Sequence, residues 1–294
     1  MDLRTLRKAL EAEHYIFDEN LLTTLYVSIK LGKPLLIEGA AGVGKTEVAK
    51  VLATAHGVEL IRLQCYSGLD EAKALYEWNY QKQLLSIQLG LQQNCEYTSE
   101  QRLESLFSRD FLLERPLLKA INSDVTEVLL IDEIDKADEE FEAFLLELLS
   151  DFQVSIPELG TIRSRVRPII VLTSNNTRQL SDALRRRCVY LFIDYPTIEK
   201  EIAIINAKIE GVPAKLASDI AAAVAYLRKN EKIFKKPSIA ETLDWVSALM
   251  ALGKKRLDEE SAAKTLGFVL KNQEDILELT EDGGFGKFIA EQLR

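Results

Sequence analysis

Gly39-Ala40-Ala41-Gly42-Val43-Gly44-Lys45-Thr46 decides how this chain is read. The eight residues fit GxxxxGK[ST]; the apolar run Pro34-Leu35-Leu36-Ile37 stands just before them, and Glu47 to His56 carries helical periodicity after them. Glycines let such a loop turn tightly enough to aim backbone N–H groups inward, and the following helix adds its positive end. Lys45 can then reach the β and γ phosphates, and the Thr46 hydroxyl can ligate Mg2+. Gly39, Ala40, Ala41, Gly42, Val43, Gly44, Lys45 and Thr46 therefore read as a cradle for a nucleoside triphosphate. A bare match arises by chance at about the 1% level in a chain of ordinary glycine usage. The flanking strand and helix decide against a turn with a stray lysine.

The next informative stretch is Val128-Leu129-Leu130-Ile131, four apolar residues in a row, which marks a strand buried on both faces. It closes on Asp132-Glu133. In a phosphate-loop protein an acidic residue at that strand end holds the Mg2+ shell, and a second carboxylate can polarise the attacking water. Asp132 is placed in the first role and Glu133 in the second; an acidic cap on the following turn is the local alternative. The strand after it ends Thr173-Ser174-Asn175-Asn176, where one amide could orient water near the γ phosphate. Asparagine also suits turns for local reasons, so the choice between Asn175 and Asn176 stays open.

Arg185-Arg186-Arg187 follows a short helix opened by Ser181. A guanidinium delivered to a γ phosphate stabilises the transition state, whereas a basic run at a helix C-terminus is also favoured by the macrodipole. At most one or two of the three can point into a pocket. Arg163, Arg165 and Arg167 alternate and read as an exposed or interface face.

Around these motifs the chain organises itself by period. Leu3, Leu6 and Leu10, then Leu21, Leu22, Leu25 and Ile29, predict two helices ahead of the loop. Val58 to Leu63 predicts a second strand, giving a βαβ rhythm. Residues 65–110 lose their period and read as an insertion; Phe111 to Ile121 predicts a helix bent or restarted at Pro116. Asp138 is an N-cap candidate, and Val154, Ile156, the turn Pro157-Glu158-Leu159-Gly160 and Thr161-Ile162 predict a hairpin. Ile169 to Thr173 and Val189 to Ile193 bring the sheet to five strands. After Tyr195-Pro196-Thr197 only amphipathic helices follow, one of them opened by Ser238 and Glu241 at capping-box spacing. The expected organisation is an α/β nucleotide-binding domain over residues 1–195, with an insertion near 65–110, and a helical domain over 196–294.

The 294 residues are 47% apolar and 28% charged, ordinary globular usage, with 37 Lys plus Arg against 46 Asp plus Glu and a net charge of −9. That balance argues against a wholesale binder of nucleic acid. Cys65, Cys95 and Cys188 are far apart and accompanied only by His14 and His56, so no zinc spacing exists and free thiols are expected. Neither a signal peptide nor an 18-residue apolar span is seen, which gives a cytoplasmic expectation.

Taken together these segments resemble the AAA+ ATPases: a Walker A loop at Gly39 to Thr46, a Walker B strand VLLIDEID at Val128 to Asp135, a hairpin at Val154 to Ile162, the sensor strand IIVLTSNN and the arginine segment DALRRRC. Within that superfamily the chain is similar to the MoxR branch, through the hairpin, the ALRRR segment, Asp194 to Pro196 and KPSIAETLDW, and closest to its subgroup linked to maturation of carbon monoxide dehydrogenase-type enzymes. The resemblance implies a phosphate-loop sheet of order 5-1-4-3-2 sandwiched by helices, a helical lid, ATP and Mg2+ as ligands, and a ring, usually a hexamer, with nucleotide at the subunit seams. It implies an arginine finger acting in trans, Arg187 first and Arg186 second. It also implies a chaperone activity exerted with a von Willebrand factor A domain protein on a client enzyme. A motor or loader acting on nucleic acid is the alternative within the same superfamily. One departure stands out: the segment matching the lid's sensor arginine is Pro237-Ser238-Ile239-Ala240, with no basic residue, which leaves Lys235 or Lys236 as substitutes.

Overall fold

The computed structural model describes residues 2–92, 106–157, 159–281 and 283–292. Cys95, Glu158 and most of the polar run up to Gln101 lie outside the described residues. Five strands form the main sheet: β1 (Leu35–Gly39), β2 (Leu60–Gln64), β3 (Val128–Asp132), β4 (Ile169–Ser174) and β5 (Val189–Ile193). They run in the order β2-β3-β4-β1-β5, which is 5-1-4-3-2 from the other edge. Parallel register pairs Leu130 with Arg62 on one side and Val171 on the other, and Val171 in turn with Leu35.

Every residue of β1 and β3 is buried, which is why those strands read as continuous apolar runs. The edge strand β5 instead alternates, with Tyr190 and Phe192 exposed and Leu191 and Ile193 buried. Parallel pairing delivers the ends of β2, β3 and β4 to one edge of the sheet, the edge where ligands bind in such folds.

Helix Lys45–His56 leaves the glycine-rich loop, and helix Glu139–Asp151 follows β3. Asp138 caps the latter, its Oδ1 accepting the Phe141 N–H at 2.9 Å, and Phe141, Leu145, Leu148 and Leu149 pack into the core with Leu129, Ile131 and Leu172. The insertion contains helix Tyr80–Gln92 and a strand, Tyr76–Trp78, paired antiparallel with Leu112–Glu114. That pairing shortens the helix expected over Phe111 to Ile121: it begins at Pro116, whose missing N–H is harmless in the first turn. The hairpin joins Gln153–Ile156 to Gly160–Arg163.

By its internal contacts the chain forms two compact units. One holds Glu19–Glu38 and Thr46–Phe192 with the first nine residues; the other holds Leu10–Asp18, the loop Gly39–Lys45 and everything from Ile193 onward. The second is helical after β5, with helices Ile198–Lys208, Ala214–Lys229, Ile239–Ala251, Glu259–Val269, Gln273–Glu281 and Gly284–Gln292. Its core surrounds the fully buried Trp245, whose indole N–H donates to Thr265 Oγ1 at 2.7 Å. Among the described residues no helix is long and apolar enough to cross a membrane.

Leu130 is wholly buried on β3 between two paired strands. Leu130→Ala is expected to cost about 2–5 kcal/mol through lost contacts and residual cavity. Urea unfolding checks this; a loss under about 1 kcal/mol would contradict the central placement.

Candidate active site

Asp132, at the end of β3, is 3% exposed and surrounded by donors. Its Oδ1 accepts from Thr46 Oγ1 at 3.2 Å and from Thr173 Oγ1 at 2.5 Å, while Oδ2 accepts from Arg62 Nε at 3.1 Å and Nη2 at 2.5 Å. A buried carboxylate persists only with such partners. Thr46 stands in the first turn of its helix, Thr173 on β4 and Arg62 on β2, so one carboxylate gathers three neighbouring elements.

The Thr46 hydroxyl and the Asp132 carboxylate fit a hard cation. Both are oxygen donors, the ligand type Mg2+ takes, and they stand 3.2 Å apart. The pair named from sequence as metal ligands is thus brought together.

Glu133 follows in the left-handed region, φ 57° and ψ 49°, which costs a non-glycine residue energy unless its surroundings hold it. Thr173 does part of that holding: its Oγ1 accepts the Glu133 N–H at 2.9 Å. Glu133 Oε1 accepts from Asn175 Nδ2 at 3.2 Å, and Oε2 accepts from Gln64 Nε2 at 2.8 Å and Lys136 Nζ at 2.5 Å. The adjacent carboxylate raises Lys136 above its ordinary 10.5. Asp135, buried, takes the N–H groups of Asn175 and Thr177 and the Thr177 hydroxyl at 3.1, 3.0 and 2.6 Å, pinning the segment that leaves β4. Asn175 is therefore the amide set against Glu133, while Asn176 is exposed, its N–H donating to Ser174 Oγ. Cys65 lies beneath; burial first, then the charges of Asp132, Asp135 and Glu133, push its thiol up to about 12, so it stays protonated.

The phosphate loop has its own order. Lys45 is 6% exposed and folds back, Nζ donating to Gly39 O at 2.9 Å and Ala40 O at 2.6 Å. Val43 is buried. A Cβ at Gly39 would meet the Ile193 carbonyl at 2.1 Å, so only glycine fits there.

A model of the AAA domain (dynein-related subfamily) matches residues 34–188, more than half the chain and every site residue above. The chain belongs to the AAA+ ATPases. The Thermotoga maritima RuvB Holliday junction branch migration motor is similar in fold, with TM-score 0.51 and 22% identity over 95% of this chain and 77% of that one. Two point mutants of RuvB give 0.51 at 20% and 0.50 at 18%, over 95% and 99% of this chain and 77% of theirs. At such identity the likeness is one of fold. No curated protein sequence matches the chain.

In this AAA+ ATPase the three consecutive arginines have different surroundings. Arg185 Nη2 donates to the buried Glu38 Oε1 at 2.6 Å, and Tyr190 OH donates to Glu38 Oε2 at 3.0 Å. Arg187 donates to Ser150 Oγ at 2.5 Å and to Ala183 O at 2.8 Å. Arg186 is exposed. Sequence reasoning missed Arg62, Gln64, Thr173 and Lys136. The first two had a readable signal: polar residues at i and i+2 inside the apolar strand Leu60–Gln64 share one face and run toward the same sheet edge as Asp132.

Burial pushes the Asp135 carboxyl up, but the hydrogen bonds from Thr177 and Asn175 outweigh it and hold it below the ordinary 3.8. Its stabilising contribution is complete above that value and lost as pH falls through the lowered one. Asp135→Asn, which turns an acceptor into a donor, should destabilise by about 1–3 kcal/mol at neutral pH. The gap from the parent should close below pH 3.8 in acid titrations followed by circular dichroism; a gap that stays constant with pH contradicts the assignment. Arg62→Gln should leave the fold intact and lower thermal stability, because Asp132 loses its charge partner.

Proposed function

We propose that the chain binds ATP with Mg2+ and hydrolyses it, as a subunit of a ring that remodels a partner protein. The observation that carries the catalytic part is the Glu133–Asn175 pair standing beside the Thr46–Asp132 pair at one end of the sheet. Loop N–H groups from Gly39 to Thr46 bind phosphate oxygens, and Lys45 exchanges its loop carbonyls for the β and γ phosphates. Thr46 and Asp132 would hold Mg2+, which when bound would supply charge neutralisation on the phosphate oxygens. Asn175 fixes the geometry of Glu133, whose carboxylate takes the proton of the attacking water. The new bond forms between that water's oxygen and the γ phosphorus, and the bond to the β–γ bridging oxygen breaks, releasing ADP and phosphate. For this step Glu133 must release Gln64 or Lys136.

Glu133→Gln should keep nucleotide affinity and lower turnover by about 10²-fold or more. Undiminished hydrolysis would remove Glu133 from the mechanism.

For the finger in trans the exposed Arg186 moves ahead of Arg187, whose guanidinium is engaged inside its own chain. Arg186→Ala should reduce assembly-dependent turnover by about 10³-fold with nucleotide affinity largely kept, and Arg187→Ala should do less. The reverse ranking in steady-state assays would restore Arg187.

The MoxR-like reading, with a von Willebrand factor A domain partner and a metalloenzyme client, is supported by the ALRRR, DYP and KPSIAETLDW segments. A hexameric ring and helical lid over residues 196–294 belong to the same reading. Capture of such a partner from the native host with the Glu133→Gln chain tests it. A nucleic-acid motor is favoured by the likeness to RuvB alone. Against it stand the net charge of −9 and the engagement of Arg163 with Gln153, Arg165 with Asp124, and Arg167 with the Phe152 ring. DNA-stimulated hydrolysis at moderate salt would favour the motor.

A further inference from the structure

Where a lid arginine is missing, the structure holds a different contact. Lys236, one candidate substitute, donates its ammonium to the Asn230 carbonyl of its own turn. The start of helix Ile239–Ala251 instead rests on the phosphate loop: Ile239 N–H donates to Gly42 O at 3.2 Å. A Cβ at Gly42 would lie 2.4 Å from Ser238 Cβ and 2.7 Å from its Oγ, so the serine side chain sits in the space that only a glycine leaves open. Ser238 is fixed by a reciprocal cap, its Oγ accepting the Glu241 N–H at 3.4 Å and its own N–H donating to Glu241 Oε2 at 2.7 Å.

Behind this contact lies a buried clasp. Glu201 and Arg228 are nearly wholly buried and form a two-pronged ion pair. Thr242 Oγ1 donates to Glu201 Oε1 at 2.7 Å, Arg228 Nε donates to Pro237 O at 2.8 Å, and the guanidinium lies 4.6 Å over the Tyr195 ring. One ion pair thus fastens helices Ile198–Lys208, Ala214–Lys229 and Ile239–Ala251, the strap before Ser238 and the residue where the helical run begins. Every group in this chain of contacts, Gly42 included, belongs to the same compact unit.

We propose that Ser238, seated on Gly42, is the positioning residue through which the phosphate loop moves three helices of its own unit, and that the Glu201–Arg228–Thr242 clasp makes those helices respond as one piece. This rests on the ATP-binding reading. A loop that reorients its N–H groups toward phosphates also reorients its carbonyls. The helix whose first amide hangs on Gly42 O must then follow or lose the bond. The contact is short-ranged and neutral, so the coupling should be insensitive to salt, unlike one carried by an arginine at a phosphate.

Hydrogen exchange of the full chain with and without Mg-ATPγS, alongside fluorescent-nucleotide titration, tests the proposal. The parent should show nucleotide-dependent exchange in all three helices. In Thr242→Val, which keeps the shape and removes the hydroxyl, nucleotide affinity should stay within about threefold. The exchange response should persist in Ile239–Ala251 and weaken in Ile198–Lys208 and Ala214–Lys229, which stay tied to the strap through Arg228 and the Pro237 carbonyl. In Ser238→Val, which crowds Gly42 and removes the cap, the response should be lost from all three, and kcat should fall on the order of tenfold with KM little changed. If that variant does not fold, Ser238→Thr adds one methyl group at the contact while keeping a cap. Full responses in Thr242→Val and in a folded Ser238 variant overturn the proposal, as does a parent that binds nucleotide without any response in the helices. A parent that binds no nucleotide overturns the ATPase reading instead.

Discussion

The buried carboxylate of Asp132 is the constraint on which the rest of the site depends. A charge removed from water to 3% exposure is tolerable only when donors replace the lost hydration, and here they come from Arg62 on β2, Thr173 on β4 and Thr46 on the helix after the loop. Each donor fixes the element that carries it. The strand register that aligns Gln64 with Asp132 places Arg62, two residues earlier, on the same face. Thr173 then works in two directions, donating to Asp132 and accepting the Glu133 N–H. The left-handed turn of Glu133 is thereby tied to the same carboxylate that the sheet is arranged around.

The helical unit solves a related problem with a different balance. Its Glu201–Arg228 pair is also withdrawn from water, but here both partners are buried, whereas Arg62 is half exposed, and both are capped by further groups, the Thr242 hydroxyl on one side and the Pro237 carbonyl on the other. Such a pair adds little net stability over apolar packing and instead fixes one arrangement, because breaking it leaves an uncompensated buried charge. The surrounding core of Trp245, Val246, Leu249, Leu227 and Val224 supplies the stability. Surface pairs such as Lys264–Glu260 and Lys254–Asp258 are more exposed, and pairs of that kind contribute a few tenths of a kcal/mol.

Much of this was legible in the sequence because the signals were local. Leu35 to Ile37 and Val128 to Ile131 announced strands buried on both faces, Asp138, Ser181 and Ser238 announced helix starts, and the glycine-rich loop stood out by its spacing together with the strand before it and the helix after it. Three things were not legible, for one physical reason: they depend on which segments meet across long separations. The pairing of Tyr76–Trp78 with Leu112–Glu114 shortened a helix that periodicity alone extended back to Phe111. The preference for Asn175 over Asn176 follows from Asp135 gripping the turn after β4, a contact between residues about forty positions apart. The seat of Ser238 on Gly42 joins residues nearly two hundred positions apart, and nothing in either segment alone marks it.

The geometry around Glu133 gives the last step. Glu133 accepts from Asn175, Gln64 and Lys136, and the base role proposed for it requires some of these donors to let go. The three are not equivalent. Asn175 stands on a segment fixed by Asp135, so its hydrogen bond is preorganised and persists at little entropic cost. Gln64 is also bound to Arg62, and Arg62 to Asp132, so any change at Asp132 reaches Glu133 through that chain. Asp132 and Glu133, adjacent at the end of β3, are thus joined twice, through Arg62 and Gln64 on one side and through Thr173 on the other.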